Sequence, residues 1–420
     1  MPPPTTQELS VADIEPVAQP RALPRARAPR QVQVESVWIR RIGLLGEMGW
    51  LIGAMTVQLY VPGYNGYGIV AVMLAIYIGY FSDRLAAVSG TVQILAAALA
   101  AACLGGLGSD TVKDVCQPLH MGLMVLAIPG VFVAKYHRRE DAVFLAGAVM
   151  ALLIVGIGQS VKRNNLLELW ADGQRLGVNL QALFINLALA YGYLLKGRWK
   201  LLVLPLYVAL FLLGSRTGFI TALAFPLIYL VLDGKSRGSL HRFVLPIGLA
   251  VFAVLGLASF LKLGDVAQSA GLPVAFQRMF DETVKEGASG RTDLTLFWFT
   301  RLVEHPTWFG NGIDSYGSQF GQNWPHNGYL HIFNGLGVIC GVVYFWVVFK
   351  ILRGLLQHSA PLPSHIAWAG TLMCIMLLRK FGEAQILFEP THVAGFALCY
   401  GTGLALWGVE HMPAARKGRR

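Results

Sequence analysis

The chain has 420 residues and a mean hydropathy of +0.54; 55% of its residues are hydrophobic and only 14% are charged. A soluble domain carries roughly 25% charged residues, so this composition excludes an ordinary soluble protein. With many apolar runs of about 20 residues, it points to a polytopic membrane protein. The net charge of +11 does not imply nucleic acid, because the cations sit in short clusters between apolar runs, as orientation signals do.

The apolar runs are solid and do not alternate, which excludes β-barrel strands and leaves helices. The expected fold class is therefore all-α, a polytopic membrane protein with about twelve transmembrane helices and one long outer loop that itself contains helices. Residues 1–36 hold several prolines and Arg21, Arg25, Arg27 and Arg30. They lack an apolar h-region, so they read as a disordered basic tail beside anionic lipid and not as a signal peptide. Residues 37–262 carry nine expected spans, at 43–61, 66–82, 88–108, 119–134, 142–160, 177–195, 199–213, 218–232 and 243–262. Residues 263–327 form the outer loop, residues 328–409 carry spans at 328–349, 364–378 and 391–409, and residues 410–420 form a second basic tail.

With both termini inside, about two-thirds of the 34 Lys and Arg fall in inner segments, as the orientation rule requires. The remaining outer cations concentrate in 162–175, 214–218, 262–326 and 379–383. Cations on that face, at or within the membrane, point to an anionic ligand. Cys103, Cys116, Cys340, Cys374 and Cys399 show no metal-ligand spacing and imply no disulfide framework. The reading calls for no metal and no cofactor.

Two short spans flank the turn GSRTG, which puts Arg216 at or below the outer interface. An arginine there costs a few kcal/mol on insertion scales and reads as functional by default; the competing reading is a side chain reaching to lipid headgroups. The connection VKRNNLLELWADGQRLG is amphipathic. Its Arg163 and Arg175 either extend a phosphate site or anchor an interfacial segment.

The long outer loop is where the polar residues collect. Ser289 is an N-cap candidate before Arg291, and Leu294, Trp298 and Leu302 make an apolar stripe at i, i+4, i+8 on a helix running to about Val303. Pro306 ends it. WFGNGIDSYGSQFG follows, with no strand before it and no GK[ST] after it, so Gly310 and Gly312 are not a nucleotide loop. This Gly-rich middle is a candidate lid. WPHNGYLHIFNGLG closes the segment, with His326 at the mouth of the next span and His331 about a turn further in. His326 has the chemistry of a base near neutral pH; a structural hydrogen-bonding role is the alternative.

In this order, SRTG after an apolar span, GR with HPTWFGNG downstream, and HNGYL opening the next span resemble the O-antigen ligase/polymerase superfamily of bacterial inner membranes, and within it the ligases. The resemblance covers about residues 200–345; the motifs are short, and their order and spacing carry it. It implies a glycosyltransferase that moves O-antigen polysaccharide from undecaprenyl pyrophosphate to lipid A–core, with no metal and no nucleotide. The site would face the periplasm, in a Gram-negative inner membrane, with both termini cytoplasmic. It carries over onto Arg216, Arg291 and His326. Two arginines suit a pyrophosphate leaving group, and His326 would be the general base. Arg163, Arg175, Asn327 and Tyr329 would add pyrophosphate contacts. The role of Glu383 and Glu389 stays open. The implied partners are the lipid-linked polymer, lipid A–core and membrane lipid, with no nucleic acid. The alternatives are an O-antigen polymerase or another lipid-linked glycan transferase, and a transporter.

Overall fold

The computed structural model describes residues 37–61, 64–81, 83, 88–109, 111–164, 178–195, 197–213, 215–233, 291–313, 316–321, 325, 327–357, 362–380 and 392–411. The chain divides at Arg40 into a short N-terminal unit, of which residues 37–40 are described, and a main unit from Arg41 onward. Among the described residues every regular element is a helix and there is no strand.

Helices occupy each expected span except 243–262, which lies outside the described residues together with both tails apart from Glu410 and His411. They are α1 (Val37–Tyr60), α2 (Tyr64–Tyr80), α3 (Gly90–Ala101, continuing as a 3₁₀ stretch Ala102–Gly108) and α4 (Lys113–Lys135). Next come α5 (Arg139–Asn164), α6 (Val178–Leu194), α7 (Val203–Leu212) and α8 (Arg216–Asp233). The outer loop holds α9 (Arg291–Glu304) and the single turn α10 (Tyr316–Gln319). The last three are α11 (Gly328–Gln357), α12 (Ser364–Arg379) and α13 (His392–His411). Within these, five stretches are long and apolar enough to cross a membrane: Gly90–Gly108, Lys113–Lys135, Arg139–Ile157, Gly328–Gln357 and Val393–His411. Gly66–Tyr80, Gln181–Leu194, Thr217–Asp233 and Ser364–Arg379 are apolar but shorter. Several apolar helices of this kind suggest a multi-pass membrane protein.

Packing follows from the sequence helix by helix. The Ser89 hydroxyl accepts from Val92 N and caps α3, which then buries Val92, Leu95 and Leu99 and leaves Ile94 exposed. Pro129 has no N–H to donate, and α4 absorbs it in a π turn, Leu126–Phe132, instead of breaking. Gly403 of α13 meets that turn: a Cβ there would stand 2.6 Å from the Pro129 Cα. Small residues are what let helix backbones approach this closely in a membrane bundle.

Several buried polar groups are paired across helices. Trp368 Nε1 donates to Ala190 O (2.6 Å), Tyr191 OH to Ala397 O (2.8 Å) and Tyr400 OH to Tyr136 O (3.0 Å). Each joins two helices and satisfies its own donor in the apolar interior. Two ion pairs do the same: Lys135 with Glu47, which also accepts from Tyr77 and Tyr136, and Lys350 with Glu410 (2.5 Å), which also accepts from the Thr91 hydroxyl. Ionisable groups in such helices are expected to be paired in this way.

Candidate functional site

Arg216 is the first helical residue of α8. Ser215 caps it: its carbonyl accepts from Phe219 N (2.9 Å) and its hydroxyl from Gly218 N (3.3 Å). Gly218 allows this tight entry, since a Cβ there would lie 3.0 Å from the Ala182 Cβ of α6. Arg291 likewise opens α9. Both arginines therefore stand at helix N-termini, where free backbone N–H groups and the positive end of the helix dipole already favour an anion. Arg163 lies at the end of α5. Arg175, His326, Glu383 and Glu389 lie outside the described residues.

Asn327, the residue after His326, is the N-cap of α11; its side-chain oxygen accepts from Tyr329 N (3.0 Å) and Leu330 N (3.2 Å). Gly328 N donates to Lys380 O (2.8 Å), and Tyr329 OH donates to Leu377 O (2.7 Å). The HNGYL stretch is thus clasped to the end of α12. Asn327 Oδ1 is engaged in capping its own helix and the Tyr329 hydroxyl in that clasp.

The ends of these helices fall on one side of the bundle. A Cβ on Gly370, near the middle of α12, would meet Leu355 of α11 and Leu232 of α8, while the last residues of α12 are bonded to the start of α11. Because α8 also packs along α12, both α8 and α11 run toward Gly370, and their backbones begin, at Arg216 and Asn327, toward the opposite side.

α11 is interrupted. After a π turn, Ile332–Leu336, Gly337 adopts φ +89° and ψ 169°. The two N–H groups that follow have no partner in the preceding turn, and the outer loop supplies one for each: Val338 N donates to Thr307 O (2.9 Å) and Ile339 N to Trp308 O (3.2 Å). On the other side of the break Asn334 O accepts from Asn311 N (3.0 Å). Gly310 and Gly312, at φ +85° and +86°, let the loop approach: a Cβ would stand 2.2 Å from Gly335 O and 2.5 Å from the Asp114 Cγ respectively. This revises the expectation of a lid across this stretch. Residues 305–313 are not helical, as expected, but they are docked backbone to backbone into a broken helix.

Above the break lies a buried cluster that sequence reading missed. Trp298 of α9 is fully buried, with Tyr316 edge-on at 4.7 Å between ring centroids and Phe320 beyond it. The Tyr316 hydroxyl and His331 Nδ1 are 2.7 Å apart. Burial pushes the Tyr316 phenol well above its ordinary value, so the hydroxyl stays protonated and shares a hydrogen bond with Nδ1 whose direction follows the imidazole tautomer. Asn334 Nδ2 donates to Leu330 O (3.0 Å). Lys380, also buried, donates to Tyr344 OH (2.6 Å) and lies 4.4 Å over that ring. Asn334 was detectable as a polar residue inside an apolar run; the Tyr316–His331 pair joins positions too far apart in sequence for spacing to signal. Tyr316→Phe leaves a buried imidazole nitrogen unpaired and is expected to cost about 1–3 kcal/mol. The change in thermal midpoint in detergent micelles checks it; an unchanged midpoint would show that the pair carries no stability.

No protein-family model matches this chain, and no curated protein matches it. The functional reading therefore rests on the residues and their arrangement.

Proposed function

We propose that this protein is an O-antigen ligase: a glycosyltransferase that moves O-antigen polysaccharide from undecaprenyl pyrophosphate to lipid A–core on the periplasmic face of a Gram-negative inner membrane, through twelve spans with both termini cytoplasmic. The observation that carries the reading is the ordered set SRTG, GR…HPTWFGNG and HNGYL, the first and last of which open helices on the same side of an all-helical bundle.

In this reading the pyrophosphate is already a good leaving group, and the chain's task is to stabilise the charge that grows on it. Arg216 and Arg291 each present a planar, permanently charged fork to phosphate oxygens. Each does so beside a helix N-terminus, which adds in the same sense. His326 takes the proton of the acceptor hydroxyl as the acceptor oxygen bonds to the anomeric carbon. The bond from that carbon to the pyrophosphate oxygen breaks, and undecaprenyl pyrophosphate leaves. Direct displacement inverts the anomeric centre. The lipid-linked bond supplies the energy, so neither ATP nor a metal is required. Arg163 and Arg175 extend the anion site.

One observation favours a transporter: discontinuous helices often line transport sites, and α11 is discontinuous at Gly337. Against it, the break is filled by the chain's own carbonyls from Thr307 and Trp308, which leaves those N–H groups no role in binding a substrate.

The deciding experiment is transfer with the purified protein, lipid-linked polymer and rough lipopolysaccharide, in EDTA and without ATP. Polymer appearing on lipid A–core is the expected result. Extension of the lipid-linked chain alone would make the protein a polymerase, and dependence on an ion gradient would make it a transporter.

A further inference from the structure

α9 has too much apolar surface for the partners it has. Its buried side, Trp298 with Leu302 beside it, packs on Tyr316, Phe320 and Leu330. The opposite side carries Leu296 (63% exposed), Phe299 (55%) and Val303 (63%) at helical spacing, and Trp308 (66%) follows just past the helix end. A helix apolar on both sides is covered on both sides.

The position of the loop along α11 says by what. At about 1.5 Å per residue, Gly337 lies about 13 Å along the axis from Gly328, and Lys350 about 20 Å further on. Lys350 pairs with Glu410 and Thr91, and with Arg353 it follows the apolar run 338–349, where the cations mark a boundary of the apolar layer. A hydrocarbon layer of about 30 Å measured from there extends about 10 Å past Gly337 on the Gly328 side. Gly337, and the loop bonded to Val338 and Ile339, then lie below the outer surface. The neighbours agree. Trp308 O is bonded to Ile339, which is exposed on α11 alongside Val342. Phe309 lies against Gly105, between the exposed Leu104 and Leu107 of another helix able to cross the membrane. Irregular backbone is tolerated at membrane depth only where protein satisfies it, and here the Thr307 and Trp308 carbonyls and the Asn311 amide are paired across the helix break.

We infer that residues 307–313 form a re-entrant segment, wedged into the break in α11 below the outer surface of the bilayer, and that Trp308 and the Leu296, Phe299 and Val303 stripe of α9 rest on lipid acyl chains. The inference rests on the membrane-spanning reading and not on the proposed reaction.

The test uses the full chain with its five cysteines replaced by alanine, reconstituted in liposomes, carrying an environment-sensitive fluorophore on a single new cysteine. Trp308→Cys is compared with Val342→Cys on the flank of α11 and His305→Cys, exposed at the end of α9. The Trp308→Cys label is expected to show blue-shifted emission, quenching by nitroxides on the lipid acyl chains and loss of iodide quenching, all as at Val342. Iodide quenching equal to that at His305, with no nitroxide quenching, would overturn it. Phe299→Cys gives the same reading from α9 should Trp308→Cys fail to fold. Because no substrate enters the assay, its failure and a failure of glycan transfer are separate results.

Discussion

Gly337→Ala is expected to be among the most destabilising single substitutions in the described chain. At φ +89° and ψ 169° the backbone is in a region open in practice only to glycine, and forcing another residue there costs about 1–3 kcal/mol. The added Cβ would also stand 2.3 Å from Gly310 N and 2.4 Å from Trp308 O, both backbone atoms that cannot swing aside, which adds about 1–3 kcal/mol of overpacking. Relief by moving the loop removes the acceptors of Val338 and Ile339 and bares two amides in an apolar setting. Gly341→Ala, four residues on, is the control. Its Cβ would also meet an atom at 2.3 Å, but that atom belongs to the Phe333 ring, and its backbone is helical, so only overpacking applies. The yield of monodisperse protein and its thermal midpoint in micelles should fall much further for Gly337→Ala. Equal behaviour of the two variants would mean that the break does not depend on glycine.

What the sequence made legible follows the strength of each local signal. Solid apolar runs located the helices from α1 to α8 and α11 to α13, because a run of that kind has one backbone solution in a membrane. Pro306 correctly marked the end of α9, which stops at Glu304. The stripe of Leu294, Trp298 and Leu302 was read correctly at Trp298, which is fully buried, and at Leu302, which packs on the same cluster. The second apolar face, Leu296, Phe299 and Val303, was passed over because a search for one stripe does not ask what covers the other side. Gly310 and Gly312 show a deeper limit. A glycine serves either for freedom or for close approach, and only the presence of Gly335, Gly337 and Asp114 against them decides that it is approach. Asn327 was within reach, since an Asn ahead of an apolar helix is a good N-cap, and the structure gives it that task. Lys380 was noted as an outer cation. Its burial against Tyr344, and the bond from Gly328 to its carbonyl, come from the packing of α11 on α12 and leave no trace in local spacing.

Within the proposed reaction, His326→Ala is expected to lower the rate of transfer to lipid A–core by roughly 10²–10⁴, the worth of a positioned general base. Binding of the lipid-linked donor should stay intact, because the proton it removes belongs to the acceptor. Arg216→Ala and Arg291→Ala are expected to lose about 10²–10³ each by removing a donor aimed at the leaving group. Arg→Lys tests why arginine is used: lysine keeps the charge at the same helix N-terminus but loses the two-pronged geometry. If the helix ends supply most of the anion affinity, Arg216→Lys will keep most of the activity; if the fork is what stabilises the developing diphosphate, it will be nearly as poor as alanine, which is the expected outcome. Rates at saturating donor, measured on variants that remain monodisperse, separate these cases. Near-normal transfer by His326→Ala would remove the base from the mechanism. His331 does not offer a replacement, because its Nδ1 is held by Tyr316 and its ring is buried against that residue, so an acceptor hydroxyl would then have to lose its proton to solvent.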